Sequence, residues 1–264
     1  MSKSNATTAR PRAAPVEPAS GSSARSLALL SIVAAREGPV SLAELSARTA
    51  LPKASAHRLC EQLVETGFLA RDFAERSYIG GRALQQLAYD TLNHGTARGL
   101  RHEVLAELVG RIGETCNFTT LDGVSVLYLD RVEAPWPLRL TLDVGSHVPL
   151  HCTASGKLFL ASMPLDARDA LIARIGLRRM TTRTLISAKG LRAECDAIAS
   201  AGHACDREEF VAGLIAIAVP VQDASGAVRA AIAVHAPVAR MSLRGALARL
   251  PVMKAAAKKM GTLL

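Results

Sequence analysis

The chain has 264 residues, of which 49% are hydrophobic, 21% charged and only 3% aromatic, a composition for two compact domains with Leu, Ile, Val and Ala cores. No apolar run approaches the roughly 18 residues needed to span a bilayer, and the Ser/Ala/Pro-rich start has no apolar stretch of the secretory-leader kind, so neither a membrane span nor a leader is expected. The net charge is +9, but residues 240–264 alone hold six Lys/Arg and no acid, so the excess is not gathered on a recognition element and speaks for weak attraction to polyanions only. Five scattered cysteines, an odd number, fit a reducing compartment, and the expected location is cytoplasmic.

Residues 1–24 lack hydrophobic periodicity and read as a disordered tail. From Ser26 the pattern turns helical, with Leu27, Leu30, Val33 and Ala34 on one face and Gly38-Pro39 as the stop. A second helix opens at Ser41, which has capping-box spacing to Glu44. A third follows Ala50-Leu51, with Pro52 in its first turn, Ala56, Leu59 and Leu63 inward and Gly67 at its end. Two extended pieces, 68–71 and 77–79, flank a polar hairpin tip from Asp72 to Arg76. Residues 81–97 read as a linker helix, with Leu84, Leu87, Ala88 and Leu92 on one side and Gly95 ending it.

The second domain, 98–264, opens with an amphipathic helix through Leu100, Val104, Leu105, Leu108 and Ile112. Strands are expected at 117–121 and 124–132 around an Asp122-Gly123 turn, and again at Leu138–Leu142. A short helix near Thr153, helices over 166–174 and 191–200, buried strands at 215–221 and 228–235, and a basic helix from Leu243 complete the chain. Strands and helices in this order predict an α+β domain with a central antiparallel sheet.

Residues 25–80 thus have the order of a winged helix-turn-helix, a unit that sets its third helix into the major groove. The outward face of that helix carries Lys53, Ser55, His57, Arg58 and Gln62, and Arg71 and Arg76 sit on the wing. These side chains suit phosphates and base edges. The competing reading is a helical hairpin that merely packs, with the same residues as a solvated face.

Residue by residue, the chain resembles the IclR family of bacterial transcriptional regulators. Ser41-Leu-Ala-Glu-Leu-Ser, Leu51-Pro-Lys-Ala-Ser-Ala-His-Arg-Leu and Gly67-Phe-Leu resemble its DNA-binding half. His151-Cys-Thr-Ala-Ser-Gly-Lys157 resembles an H-x-[ST]-x-x-G-K segment. Asp206-Arg-Glu-Glu209, Gly213-Leu214, Ile217-Ala-Val-Pro-Val221, Gly226 and Pro237 resemble the C-terminal signature. The likeness covers about residues 25–255.

The resemblance implies sequence-specific binding to double-stranded operator DNA as a homodimer or homotetramer, and a GAF-like second domain that binds a small effector, often an organic or aromatic acid. It carries the effector site to the backbone at Ala154 and Ser155 and to Asp206, Leu214, Ala216, Ala233 and His235. The chain departs from the family where Ala216 replaces a frequent Cys, and where Ala233 and His235 replace Ser. These changes favour an aromatic or longer acid over small polyhydroxy or oxo acids, the competing readings being a core His235 bonded to backbone and Asp206 as a structural cap. Free N–H groups at a helix start near Ala154 suit an anion, and His235 can gain charge near neutral pH. Lys157 reads either as added charge for the anion or as a structural ion-pair partner.

No cofactor is expected. His151-Cys152 and His203-Ala-Cys205 lack structural-zinc spacing, so no metal is expected either. The alternative from another class is a thiol-dependent hydrolase or redox enzyme using Cys152. Adjacent strand residues point to opposite faces, which argues against His151 serving as its base.

Overall fold

The computed structural model describes residues 21–36, 38–72, 77–93, 95–137 and 142–264. The chain forms two compact units, Met1–Thr91 and Leu92–Leu264.

In the first unit α1 (Ser22–Ala34) leads into β1 (Val40–Ser41), α2 (Leu42–Thr49), α3 (Lys53–Glu65), β2 (Leu69–Asp72), β3 (Ser77–Gly80) and α4 (Arg82–Asn93). The helix expected from Ser26 starts four residues earlier, and the tail reading for 1–20 lies outside the described residues. Ser41 Oγ accepts the Glu44 N–H at 3.2 Å, the expected cap. Ala50 then takes a left-handed conformation (φ 53°) that turns the chain between α2 and α3. Along α3 every third or fourth residue, Ala56, Leu59, Cys60 and Leu63, is buried. They pack with Leu29, Ile32, Val33, Leu45, Leu69 and Tyr78 into one core.

The wing differs from a plain hairpin. β1 pairs antiparallel with β3 through Val40↔Tyr78 and gives a three-stranded sheet in the order β1-β3-β2. A two-residue strand has no periodicity to read, which is why the sequence hides it. The hairpin tip, including Arg76, lies outside the described residues. Behind it Gly81 is obligatory, because a Cβ there would sit 2.2 Å from the Gly67 carbonyl oxygen.

The second unit runs α5 (Gly95–Ile112), β4 (Thr115–Asp122), β5 (Ser125–Val132), β6 (His147–Pro149), α6 (Ala154–Ser162), α7 (Leu165–Arg174), α8 (Ala188–Ala201), β7 (Ala204–Arg207), β8 (Leu214–Gln222), β9 (Val228–Pro237), α9 (Leu243–Leu247) and α10 (Leu250–Gly261). Its six strands form one antiparallel sheet in the order β6-β5-β4-β9-β8-β7. One face packs on α5 and α10 through Leu105, Leu108, Phe118, Ile217, Ile232 and Met253. The other packs on α6 and α8 through Tyr128, Leu158, Leu191, Ala216, Ala218 and Ala233. The two-residue side-chain period divides each strand between these cores.

Three sequence expectations are corrected, and a fourth lies outside the described residues. The linker helix expected over 81–97 is helical in its described residues, with residue 94 outside them, and Gly95 lies within helix where it was expected to end one. The β4–β5 turn is Gly123-Val124, since Asp122 and Ser125 still pair. The basic C-terminal helix is α9 followed by α10, with Pro251 in the first turn of α10. The strand expected at Leu138–Leu142 falls on residues 138–141, outside the described residues, and Leu142 itself is not in a strand.

Candidate functional site

The first candidate surface is the outer face of α3. Burial of Ala56, Leu59, Cys60 and Leu63 leaves Lys53, His57, Arg58 and Gln62 exposed and Ser55 half-buried. All five belong to one helix in one geometry. Arg71 is exposed on β2, but its guanidinium is engaged by the Glu61 carboxylate of α3. Tyr78 Oη donates to the same carboxylate at 3.1 Å, and His57 Nε2 lies 3.8 Å from it. The Arg71 hydrogen bond holds the Glu61 carboxyl below its usual range. Burial, with Glu61 beside it, pushes the Tyr78 phenol up to about 12. Glu61 thus ties both wing strands to the third helix. Sequence reading did not single it out. The one available signal was an acid at i+4 from His57 on an otherwise basic face.

The second surface lies on the α6 side of the six-stranded sheet. The Thr153 hydroxyl caps Gly156 N–H at 3.2 Å, and the first backbone bond of α6 runs from Lys157 N to the Thr153 carbonyl at 3.0 Å. The N–H groups of Ala154 and Ser155 lie ahead of both, at the positive end of the helix. Close packing fixes that end, since a Cβ on Gly156 would lie 2.3 Å from the Leu150 carbonyl oxygen. Ser155 is anchored to the sheet through its Oγ, which accepts from Thr119 Oγ1 at 3.0 Å.

The strand register assembles the floor. Asp206 pairs with Ala216, Ala216 with His235, and His235 with Thr115, so these four side chains form a row on one face. The next row is Ala204, Ala218, Ala233, Asn117 and Arg131. Leu214 stands two residues from Ala216 on the same face and is buried. The seven expected effector residues therefore come from one helix terminus and three neighbouring strands.

One electrostatic expectation changes. His235 is half-buried, and burial with nearby Arg131 pushes its imidazole down to about 4, so it is neutral at pH 7 and is not the expected source of positive charge. Asp206 moves the other way. Burial, opposed by the Glu209 N–H at 2.6 Å, pushes its carboxyl up to about 7. Lys157 lies wholly inside the unit, bonding Glu209 Oε1 at 2.5 Å and Glu194 Oε1 at 3.2 Å, and so takes the structural role.

The polar residues missed by the sequence reading are Arg131, Asn117 and Thr119. Arg131 Nη1 donates to Asn117 Oδ1 at 2.9 Å and its Nε to Glu133 Oε1 at 3.2 Å, with the side chain 6% exposed. The signal was present in β4, where Asn117 and Thr119 alternate with Cys116 and Phe118. Polar residues on an inward face need partners, and so mark a built interior.

The thiol-enzyme alternative fails on geometry. Cys152 is fully buried, and burial, with Asp206 and Glu209 nearby, pushes its thiol up to about 12. His151 Nε2 is spent on the Arg178 carbonyl at 2.8 Å. Cys60, Cys116, Cys195 and Cys205 are likewise buried and free. Among the described residues no cluster of three or more His, Cys, Asp or Glu could hold a metal ion, and no helix is long and apolar enough to cross a membrane.

Comparison with known proteins shows the family. Residues 22–72 match the IclR helix-turn-helix domain, and residues 90–262 match the C-terminal domain of the bacterial transcriptional regulator IclR. The chain is 41% identical to the probable transcriptional regulator SauR of Cupriavidus necator, over 89% of this chain and 94% of that protein. It is 30% identical to the transcriptional repressor IclR of Escherichia coli, over 83% of this chain and 80% of that one. A crystal structure of a putative transcriptional regulator from Rhodococcus sp. RHA1 superposes with a TM-score of 0.63 at 28% identity, over 92% of this chain and 97% of the other. These families and relatives are regulators and not enzymes, and the chain belongs to the IclR family of bacterial transcriptional regulators.

Proposed function

We propose that this regulator reads an operator with Lys53, Ser55, His57, Arg58 and Gln62 of α3, steadies the duplex with Arg71 and Arg76 of the wing, and is controlled by an organic acid held in its second unit. Residues 25–80 then form the DNA-binding domain and 98–264 the effector domain. The acid's carboxylate lies at the N–H groups of Ala154 and Ser155, over a floor of Asp206, Leu214, Ala216, Ala233 and His235. The observation carrying this reading is the capped start of α6, on the sheet face where β8 and β9 carry the small side chains Ala216, Ala218, Ala231 and Ala233. Asp206, with its raised pKa, donates a hydrogen bond to the acid in its protonated form.

The protein acts in the cytoplasm as a homodimer or homotetramer. An open groove of about 630 Å³ runs along α1, α3 and α4, with Leu27 and Leu87 exposed on its rim. Apolar side chains of that size suit a second copy. The test is to sequence the DNA retained by the purified protein, then titrate acids into the complex with that DNA. Retention of one recurring sequence and a change in its affinity on adding an acid support the reading. Uniform retention of all sequences defeats it.

A further inference from the structure

The effector face carries a second polar arm away from the α6 terminus. Asn117 is wholly buried and its Nδ2 has no hydrogen-bond partner, and His235 Nδ1 is likewise sealed and unpartnered. Both side chains lie on the α6 face, at neighbouring positions of β4 and β9, since Asn117 pairs with Ala233 and Thr115 with His235. Arg131 lies against the same amide through Asn117 Oδ1. A sealed amide donor is costly unless an acceptor arrives, so its orphaned state points to a ligand group.

We infer that the effector is a two-headed acid, with one anionic group at the Ala154 and Ser155 N–H groups and the other at Asn117 Nδ2 beside the Arg131 guanidinium. The inference rests on the acid reading above and narrows its chemical class.

The spacing follows from the sheet. Ser155 is bonded to Thr119, and Asn117 lies two residues along the same strand. Two strand residues span about 7 Å, a separation matched by compact dicarboxylates, aliphatic or aromatic. The electrostatics agree. One carboxylate facing Asp206 alone would meet acid on one side, whereas the second arm supplies a guanidinium. Glu133 also bonds Arg131, but its side chain is 33% exposed and water screens it more than it screens the buried end. The neutral His235 completes the arm as an Nδ1–H donor or, in its other tautomer, an acceptor.

The test measures binding of matched pairs to the full chain by calorimetry: glutarate against butyrate, and isophthalate against benzoate. One two-headed member is expected to bind about 10- to 100-fold tighter than its single-headed partner, the range for a hydrogen bond to a charged group. Arg131→Met is expected to remove that advantage while leaving the single-headed acid within about threefold. Arg131→Lys, which keeps the charge without the planar fork, gives an intermediate value and serves if the Met variant does not fold. Equal affinity within both pairs, with butyrate or benzoate bound, overturns the second arm alone. So does an advantage that survives in both Arg131→Met and Asn117→Ala. If no acid of either kind binds, the acid reading of the α6 terminus falls, and the second arm with it.

Discussion

Glu61 of α3 holds Arg71 of β2, so an acid sits within the surface we propose for DNA and engages a wing cation inside the protein. A phosphate approaching Arg71 competes with that carboxylate. Glu61→Gln is expected to release Arg71 and strengthen binding to random-sequence duplex. The dependence of log affinity on log salt should steepen by about one, the increment for one more phosphate contact. An unchanged slope in fluorescence anisotropy titrations would mean that Arg71 does not reach the backbone.

Arg58 projects from the same face without an assigned partner role inside the unit. Arg58→Ala is expected to leave the melting temperature unchanged and to weaken DNA binding. If it touches a phosphate, all sequences weaken together. If it reads a base, specificity at one position relaxes by roughly 1–3 kcal/mol. Equal affinity of variant and parent for both kinds of duplex removes it from the interface.

Asp206 gives the second unit a pH dependence of definite sign. Its native pKa near 7 lies above the 3.8 of an unconstrained carboxyl, so the folded state holds the proton more tightly than the unfolded one. The stabilisation from this group is complete below pH 4 and is lost as pH rises through 7. Between pH 5 and pH 8 the loss is on the order of 3 kcal/mol. Asp206→Asn keeps an oxygen for the Glu209 N–H and is expected to flatten the profile and raise stability at pH 8. Affinity for an acid should also fall through pH 7 in the parent and not in the variant. Urea titrations and calorimetry across that range check both. A parent profile as flat as the variant's would place the Asp206 pKa elsewhere.

Lys157 sits between two carboxylates with none of its side chain exposed. Lys157→Met removes the cation and takes from Glu209 its lysine partner, while Glu194 keeps Arg207 Nη1 at 2.8 Å. A destabilisation of about 3–5 kcal/mol is expected, the range for breaking a buried ion pair from one side. Adding Glu209→Gln should recover part of it, which an equilibrium urea series reads directly.

Leu27 and Leu87 are 63% and 53% exposed on the rim of one groove. Leu27→Glu with Leu87→Glu is expected to lower the oligomeric state in sedimentation while leaving the helical signal of the first unit intact. An unaltered sedimentation coefficient would locate self-association elsewhere.

The helical part of the first unit was legible because burial there follows a 3.6-residue period. Leu59 and Leu63 announce the inner face of α3, and Ser41 with Glu44 announces its neighbour's cap. β1 was not legible, since Val40 and Ser41 gain strand character only from pairing with β3. In the second unit β8 and β9 stood out as apolar runs, and the start of α6 was found through its motif. Arg131 was not found, because at a strand end it reads as a surface cation until the register sets it beside Asn117. The charge states of Asp206 and His235 were not legible for one reason. A pKa depends on burial by distant segments, and no local pattern encodes that.

Asp130 and Arg131 are consecutive residues that serve opposite sides of the sheet, next to the bulge where β5 slips against β4. Asp130 Oδ1 accepts the backbone N–H of Arg131 at 2.8 Å and lies 3.1 Å from His102 Nδ1 on α5. Arg101, beside His102, stacks its guanidinium 5.6 Å from the Phe118 ring. One rigid peptide plane therefore joins the side chain on the effector face to the side chain braced against the first helix of the unit. A molecule that tugs on the Arg131 backbone cannot leave Asp130 where it was. A displacement of Arg131 is accordingly expected to register at His102 on α5.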